Sequence, residues 1–422
     1  MTDHTPPDDR DDRSSATPGR GGALSVALLV TLAMQNAVPP FSTDMYSPAF
    51  PHVTEDLGTT ASLVGLTLTA FFIGMGLGQI LGGVVSDQLG RRRPLIIGGL
   101  VCTAGAVICA LAPGIWVLIA GRLLQGLGGG VAAAVGRAVL VDLAHGNVLA
   151  RTMSLLQALG GLAPMIAPVV GGVMVTRWPW QAVFWALSAF GVVMSGLAWR
   201  YVPESLPVGS RHSGGATQIV RGIGQVLRIR AFNGFMLTSA FSGFCMFGYI
   251  ANASYVLQEQ KGLTPLAFSM VFAANALLNI VCTLANARLI GWRSPEALIR
   301  MGLTISGSSV VLLVVTVAVW DTALVPLCLG FAGLMAAQAF IFGNSSAVGL
   351  GLARGNAGAA SAIQGLVQST ASAVSAPLAT MGGGSTAVPM VVVMVVGVAG
   401  AWGSFQFLAR RASGHEGGRL PA

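Results

Sequence analysis

Cut at its charged, proline and glycine clusters, the chain divides into apolar segments near 22–49, 61–85, 95–113, 115–141, 152–175 and 180–200. A second set follows near 231–257, 265–290, 297–319, 322–347, 356–380 and 386–409. Most match the roughly 20 residues that a helix needs to cross a bilayer. The pattern is six segments, a polar interval, then six. It predicts an all-α polytopic membrane protein with 12 transmembrane helices in two pseudo-symmetric six-helix bundles, 22–200 and 231–409.

The interval 201–230, with Arg211, Arg221, Arg228 and Arg230, is the longest polar stretch inside the chain and reads as a cytoplasmic linker. Residues 1–21 carry aspartates and arginines without apolar periodicity, so a disordered cytoplasmic tail is expected there. Residues 410–422 read as a second tail. The first apolar run is too long for a signal-peptide core and lacks a small-residue cleavage site after it, so it reads as an uncleaved helix. The two halves echo each other. Gly90-Arg91-Arg92-Arg93-Pro94 follows segment two, and Gly291-Trp292-Arg293-Ser294-Pro295 follows segment eight. Such a parallel repeat predicts a binding site between the halves near mid-membrane.

Composition agrees with the pattern: 54% of residues are hydrophobic and 9% charged, against roughly 25% charged in soluble domains. Glycine, at 57 of 422 residues, suits close helix packing in lipid. The net charge of +8 does not call for nucleic acid, because the basic residues sit in short loops and set topology. With the N-terminus inside, only Arg177 and Lys261 of the 23 basic residues fall in outer segments, while Arg122 and Arg137 lie within the fourth apolar segment. Both termini are therefore expected in the cytoplasm, with the protein spanning the plasma membrane as a monomer.

The five cysteines lie in apolar runs without CxxC spacing, and none of the five histidines lies in one. Disulfides, bound metal and haem are not expected. Lys261, the single lysine, stands outside any Walker A sequence. No cofactor is expected, and transport would draw on an ion gradient.

Of the 15 acids, Asp44 alone sits clearly inside an apolar segment. A charged aspartate at a helix centre costs about 2.5–3.5 kcal/mol on insertion scales, so it should face a cavity or a partner, where it can exchange a proton. Pro39 and Pro40 just before it should break the helix and free the carbonyls of Gln35 and Asn36. A bland alternative is that Asp44 is hydrated at the outer helix end.

Arg122 and Gln125 share a helical face, followed by Gly126, Gly128, Gly129 and Gly130, which allow close approach of a neighbouring helix. A buried arginine needs an acceptor. Asp44 is the embedded carboxylate available, directly or through Gln125; the competing reading has Arg122 on backbone carbonyls, holding helices together. Arg137 precedes Asp142 at the inner end of the same segment and reads as structural or as part of an inner gate. In the loop Gly83 to Arg93, Asp87 can pair with Arg91, Arg92 or a helix end, and Gly90 allows the turn. Segment five holds Gly160, Gly161, Pro164, Pro168, Gly171 and Gly172, a set expected to bend it toward the other half. Candidates for the substrate cavity are Asn36, Tyr46, Phe71, Tyr249, Asn252, Asn279 and Gln338, with Gln35, Phe241, Asn275 and Gln364 as further possibilities.

These motifs together resemble the major facilitator superfamily over residues 22 to 410. Gly83 to Arg93 resembles its signature A, Arg122-Leu-Leu-Gln125-Gly126 its signature B, and Gly160 to Gly172 its antiporter signature C. Thr43-Asp44-Met45-Tyr46-Ser-Pro48, Gly136-Arg137-Ala138 through Asp142, and Ala163-Pro164 are similar to the Bcr/CflA drug-resistance branch, whose members export bicyclomycin, chloramphenicol, florfenicol or sulfonamides in exchange for protons. The resemblance implies that Asp44 is the proton-linked acid, Arg122 its relay partner, and the cargo a small drug. Two departures matter. Arg288 stands where a second signature A would have its aspartate, and Asn36 stands where some relatives carry a second acid. A single-acid cavity beside an embedded arginine favours neutral amphiphiles such as phenicols over cationic dyes. The alternatives are a proton-coupled uptake symporter for a small metabolite on the same fold and, from another class, a membrane enzyme or sensor. The enzyme is disfavoured by the lack of an embedded nucleophile and base.

Overall fold

The computed structural model describes residues 25–144, 146–207, 222–290, 292–353, 357–383 and 385–410. The expected tails and most of the polar linker, including Arg211 and Arg221, lie outside these. The first half consists of α1 (Val26–Asp44), a 3-10 turn (Ser47–Ala49), α2 (Phe50–Asp56), α3 (Ala61–Leu89), α4 (Arg92–Ala110), α5 (Ile115–Leu143), α6 (Gly146–Arg177) and α7 (Gln181–Tyr201). The second consists of α8 (Arg230–Tyr255), α9 (Pro265–Leu289), α10 (Pro295–Ala318), α11 (Leu324–Leu352), α12 (Ala357–Ala379) and α13 (Val388–Gly403). Among the described residues, ten helices are long and apolar enough to cross a membrane. The long helices α6 and α12 complete the twelve expected segments.

Local sequence sets the helix ends. The hydroxyls of Ser25, Thr60, Thr264 and Ser294 each accept a first-turn N–H. At the last two, Pro265 and Pro295 occupy the first helical position, where a missing N–H is harmless. Gly90 turns the chain between α3 and α4 at φ +90°, a left-handed conformation that favours glycine.

Inside the first half the helices meet through glycines. A Cβ at Gly74 or Gly78 of α3 would collide with the backbone of Leu123 or Leu127 on α5, and a Cβ at Gly126 or Gly130 of α5 would collide with Phe71 or Met75 on α3. The two backbones therefore touch from both sides, and dispersion across that contact replaces the water-driven term that lipid does not supply. Gly128 meets Cys102 of α4 in the same way, so α5 is clamped between two neighbours.

The halves join along two seams, α3 with α12 and α6 with α9. Advancing each helix by six membrane segments converts the first seam into the second, as a parallel repeat demands. The outward faces carry exposed Leu77, Ile97, Val192 and Val396, a surface suited to lipid. Exposed Trp116, Trp178 and Trp320 mark one end of the bundle, and Trp199 and Trp292 the other, as interfacial belts do. The former end also carries α2; the latter carries the Arg91 loop. Pro39 and Pro40 do not break α1, contrary to expectation. Both lie inside a continuous helix, as a membrane helix permits when neighbours take up the freed backbone groups.

Candidate functional site

Asp44 closes α1 and is 6% exposed. It borders a cavity of about 280 Å³ between the halves. Pro39, Pro40, Thr43, Phe72 and Pro164 line it from the first half; Met246, Phe247, Ile250, Phe272, Ala276, Asn279 and Met335 line it from the second. Asp44 is the one ionisable side chain in that lining. Its Oδ1 lies 2.9 Å from the Thr43 hydroxyl, which is also 2.9 Å from the carbonyl of Pro39. Phe72 and Phe247 meet edge to face across the gap at 4.6 Å. The chamber therefore offers an apolar, aromatic wall with one acid at its edge.

Arg122 is wholly buried in α5, but the structure does not pair it with Asp44. Its Nη1 donates to the carbonyl of Ser42 at 2.9 Å and to Gln125 Oε1 at 2.7 Å. The guanidinium lies over the rings of Phe71 at 4.4 Å, Tyr46 at 5.2 Å and Phe184 at 5.9 Å. Aromatic faces and a helix carbonyl thus take the place expected of a carboxylate. The link from Arg122 to Asp44 runs through the α1 backbone, two residues before the acid.

The loop at the opposite end forms a closed network. Arg91 Nη1 donates to Asp87 at 2.5 Å and to the Ser86 hydroxyl at 2.7 Å, and its Nε donates to Asp142 at 3.0 Å. Backbone N–H groups of Arg91 and Arg92 donate to Glu204, and Arg92 Nη2 donates to the carbonyl of Trp199. These bonds join the first half to the chain just after α7, and none of them reaches the second half. Gly83 lies on α3 with open space beside it. Asp142 accepts from Arg91 and Ser205 rather than from Arg137.

On α6, Pro164 and Pro168 lie inside a continuous helix that also carries Gly160. Pro164 lines the cavity. A Cβ at Gly171 would collide with the carbonyl of Met45, and one at Gly172 with the Ser269 hydroxyl on α9. This is how α6 reaches the other half.

Of the candidate cavity residues, Asn279 alone lines the chamber beside Asp44. Tyr46 and Phe71 surround Arg122 instead. Tyr249 accepts from Asn275 and stacks on Phe272, Gln338 bonds Ser242, and Asn252 is fully buried with both amide atoms unpaired. Asn36 lines a separate pocket. Gln338 and Tyr249 are engaged by neighbouring groups, and the wall is left chiefly to Phe72, Met246, Phe247, Ile250, Phe272 and Met335. Sequence reasoning missed these because an apolar residue facing a chamber and one facing lipid look alike.

Hydrogen bonds between the halves gather at the α2 end. Tyr255 and Thr54 lie 2.7 Å apart through their hydroxyls, Gln258 donates to the carbonyl of Pro48 at 3.2 Å, and Ser62 donates to that of Pro377 at 3.3 Å. None of these was anticipated from sequence.

The family described as the Major Facilitator Superfamily matches residues 32–377. The chain belongs to the major facilitator superfamily. It is thus a multi-pass membrane carrier of small molecules, not an enzyme. The chain is 31% identical over 378 residues to the uncharacterized MFS-type transporter YdgK of Bacillus subtilis, covering 89% of this chain and 93% of that one. It is 27% identical over 383 residues to the bicyclomycin resistance protein homolog of Haemophilus influenzae, covering 91% and 96%. Among solved structures, a D-xylose-proton symporter superposes with a TM-score of 0.73 at 17% identity, covering 90% of this chain and 97% of that one. At that identity the likeness concerns the fold alone.

Proposed function

We propose that the protein is a proton-driven exporter of small amphiphilic drugs, neutral antibiotics such as phenicols among them, working by alternating access. The observation that carries this reading is the placement of a buried Asp44 on the edge of an apolar chamber between the halves. Its chemistry is that of a two-state acid. Protonated, the carboxyl donates to Thr43 Oγ1, and the Thr43 proton goes to the carbonyl of Pro39. Ionised, it takes the Thr43 proton for itself, and the Pro39 carbonyl loses its partner. A charge confined by Phe72, Phe247 and Phe272 is costly, so ionisation favours whichever state hydrates the acid. Arg122, fixed on the Ser42 carbonyl, transmits a shift of α1 to α5 and the aromatic rings around it.

In this scheme both termini and the Arg91 loop are cytoplasmic, following the basic residues. The bonds among Thr54, Tyr255, Gln258 and Pro48 then close the outer face. Drug enters from the inside as Asp44 gives up its proton. Reprotonation from outside resets the chamber, each entering proton bringing about 2.3 kcal/mol per 100 mV. The similarity to a bicyclomycin resistance protein homolog supports drug as cargo.

The test is Asp44→Asn, which keeps shape and removes the charge. In inverted membrane vesicles the variant is expected to insert normally yet lose chloramphenicol accumulation and drug-induced proton release, and a protonophore should abolish both in the wild type. Chloramphenicol accumulation against a gradient by the Asn variant would refute the assignment. Substrate movement down-coupled into cells rather than out of them would instead identify an uptake symporter.

A further inference from the structure

A second pocket, of about 200 Å³, lies within the first half and is lined by Leu32, Gln35, Asn36, Ala133, Gly136, Arg137 and Leu156. Its polar groups are unusual. Gln35 is 1% exposed, and neither its Oε1 nor its Nε2 has a hydrogen-bond partner. A buried amide with both ends unpaired is costly unless something else supplies the bonds. Arg137 remains exposed, and among the described residues no carboxylate pairs with it; its sequence neighbour Asp142 is engaged by Arg91 and Ser205. The pocket therefore combines a guanidinium in want of an anion with an amide in want of both donor and acceptor, against the apolar walls of Leu32 and Leu156.

Size and placement narrow the ligand. At about 200 Å³ against about 280 Å³ for the chamber beside Asp44, this pocket suits a headgroup whose apolar remainder lies outside it. Asn36 lines it, while Pro40 and Thr43 line the chamber beside Asp44. These three recur at helical spacing and so share a face of α1. Asn36 and Thr43 are separated by roughly 10 Å at about 1.5 Å per residue, within the span of a small amphiphile. The single guanidinium matches one negative charge. Its planar fork, with the Gln35 amide beside it, suits a planar carboxylate better than a dianionic phosphate.

We propose that Gln35, Asn36 and Arg137 form a subsite for the carboxylate headgroup of an acidic amphiphile, whose apolar body runs along α1 into the chamber beside Asp44. This adds a substrate class to the neutral compounds of the proposed function and rests on that same carrier reading. The test is equilibrium binding of radiolabelled 2-naphthoate and 2-naphthamide to the purified full-length protein. The wild type is expected to bind the acid at least tenfold more tightly than the amide. Arg137→Gln and Gln35→Leu should each erase that preference, and Arg137→Lys should keep part of it. Should Arg137→Gln fail to purify as a monodisperse species, the same measurement on Asn36→Leu decides.

Equal binding of acid and amide by the wild type, or a preference that survives Arg137→Gln, would overturn the subsite. Chloramphenicol transport in vesicles is measured alongside. If the wild type moves no chloramphenicol while naphthoate binding still depends on Arg137, the exporter reading fails and the subsite stands.

Discussion

The contact between Tyr255 and Thr54 gives the sharpest test of how the α2 end closes. The Thr54 hydroxyl lies 2.9 Å from the carbonyl of Phe50 and 2.7 Å from the Tyr255 hydroxyl, which itself lies 3.4 Å from the same carbonyl, so the two side chains share one hydrogen bond whichever of them donates. Tyr255 is fully buried, and the bond joins α8 of one half to α2 of the other. Opening that end breaks it. A neutral intramolecular hydrogen bond contributes about 0.5–1.5 kcal/mol net, so Tyr255→Phe should shift the balance toward the open state by about fivefold, taking 1 kcal/mol as typical. Spin labels at exposed His52 on α2 and at Lys261 beyond α8, read by double electron–electron resonance, would report the two distances as populations. Thr54→Val should produce a similar shift. Because both variants remove the same bond, the double variant should shift the balance by little more than either one, giving a coupling energy of about 1 kcal/mol. An unchanged distance distribution in Tyr255→Phe, or full additivity in the double variant, would refute the latch.

Gly126→Leu should prevent normal packing of α3 on α5, since even a Cβ at that position collides with the Phe71 backbone; a wild-type melting temperature and yield would contradict this. Burial works against the charged form of Arg91, but its hydrogen bonds to Asp142 and Asp87 outweigh this and hold its pKa above the usual arginine value. Arg91→Ala should therefore cost about 2 kcal/mol by leaving Asp87 without its cation and Asp142 with the Ser205 hydroxyl alone. Arg91→Lys should recover less than half of the lost melting temperature, because an ammonium lacks the planar fork. Phe247→Ala removes the ring that meets Phe72 at 4.6 Å and enlarges the chamber. Drug-susceptibility panels should then show resistance moving toward bulkier compounds, and an unchanged profile would place the cargo elsewhere.

What could be read from sequence followed the strength of the physical signal. Twelve apolar segments stood out because a bilayer demands length and hydrophobicity together. Asp44 stood out because a lone acid in such a segment is costly, and it borders the chamber. The glycines after Gln125 also announced a close helix contact, and α5 makes it with α3 and α4. The partner of Arg122 was half legible: a backbone carbonyl was one of the two readings the sequence left open, and the Ser42 carbonyl takes that place, but the three rings around the guanidinium carried no sequence signal. The latch was hidden for a different reason. Thr54 belongs to α2, seven residues long, which falls between apolar segments and has no signal at membrane scale. For the polar cavity candidates, polarity marks a residue that needs a partner without saying which one: Asn275 and Ser242 engage Tyr249 and Gln338, whereas Asn279 lines the chamber.

The two seams between the halves are tightest at one end of the molecule. Gly65 of α3 abuts Thr380 and the carbonyl of Ala376, and Gly172 of α6 abuts Ser269; each time a glycine of the first half faces a hydroxyl of the second. Neither glycine lines the chamber beside Asp44. A bulkier side chain at either position would act as a wedge, prising that face apart without altering a single ligand contact. The seam and the chamber are thus built from different residues, so a methyl group added at Gly65 or Gly172 would strain the closed face while leaving the wall beside Asp44 as it is.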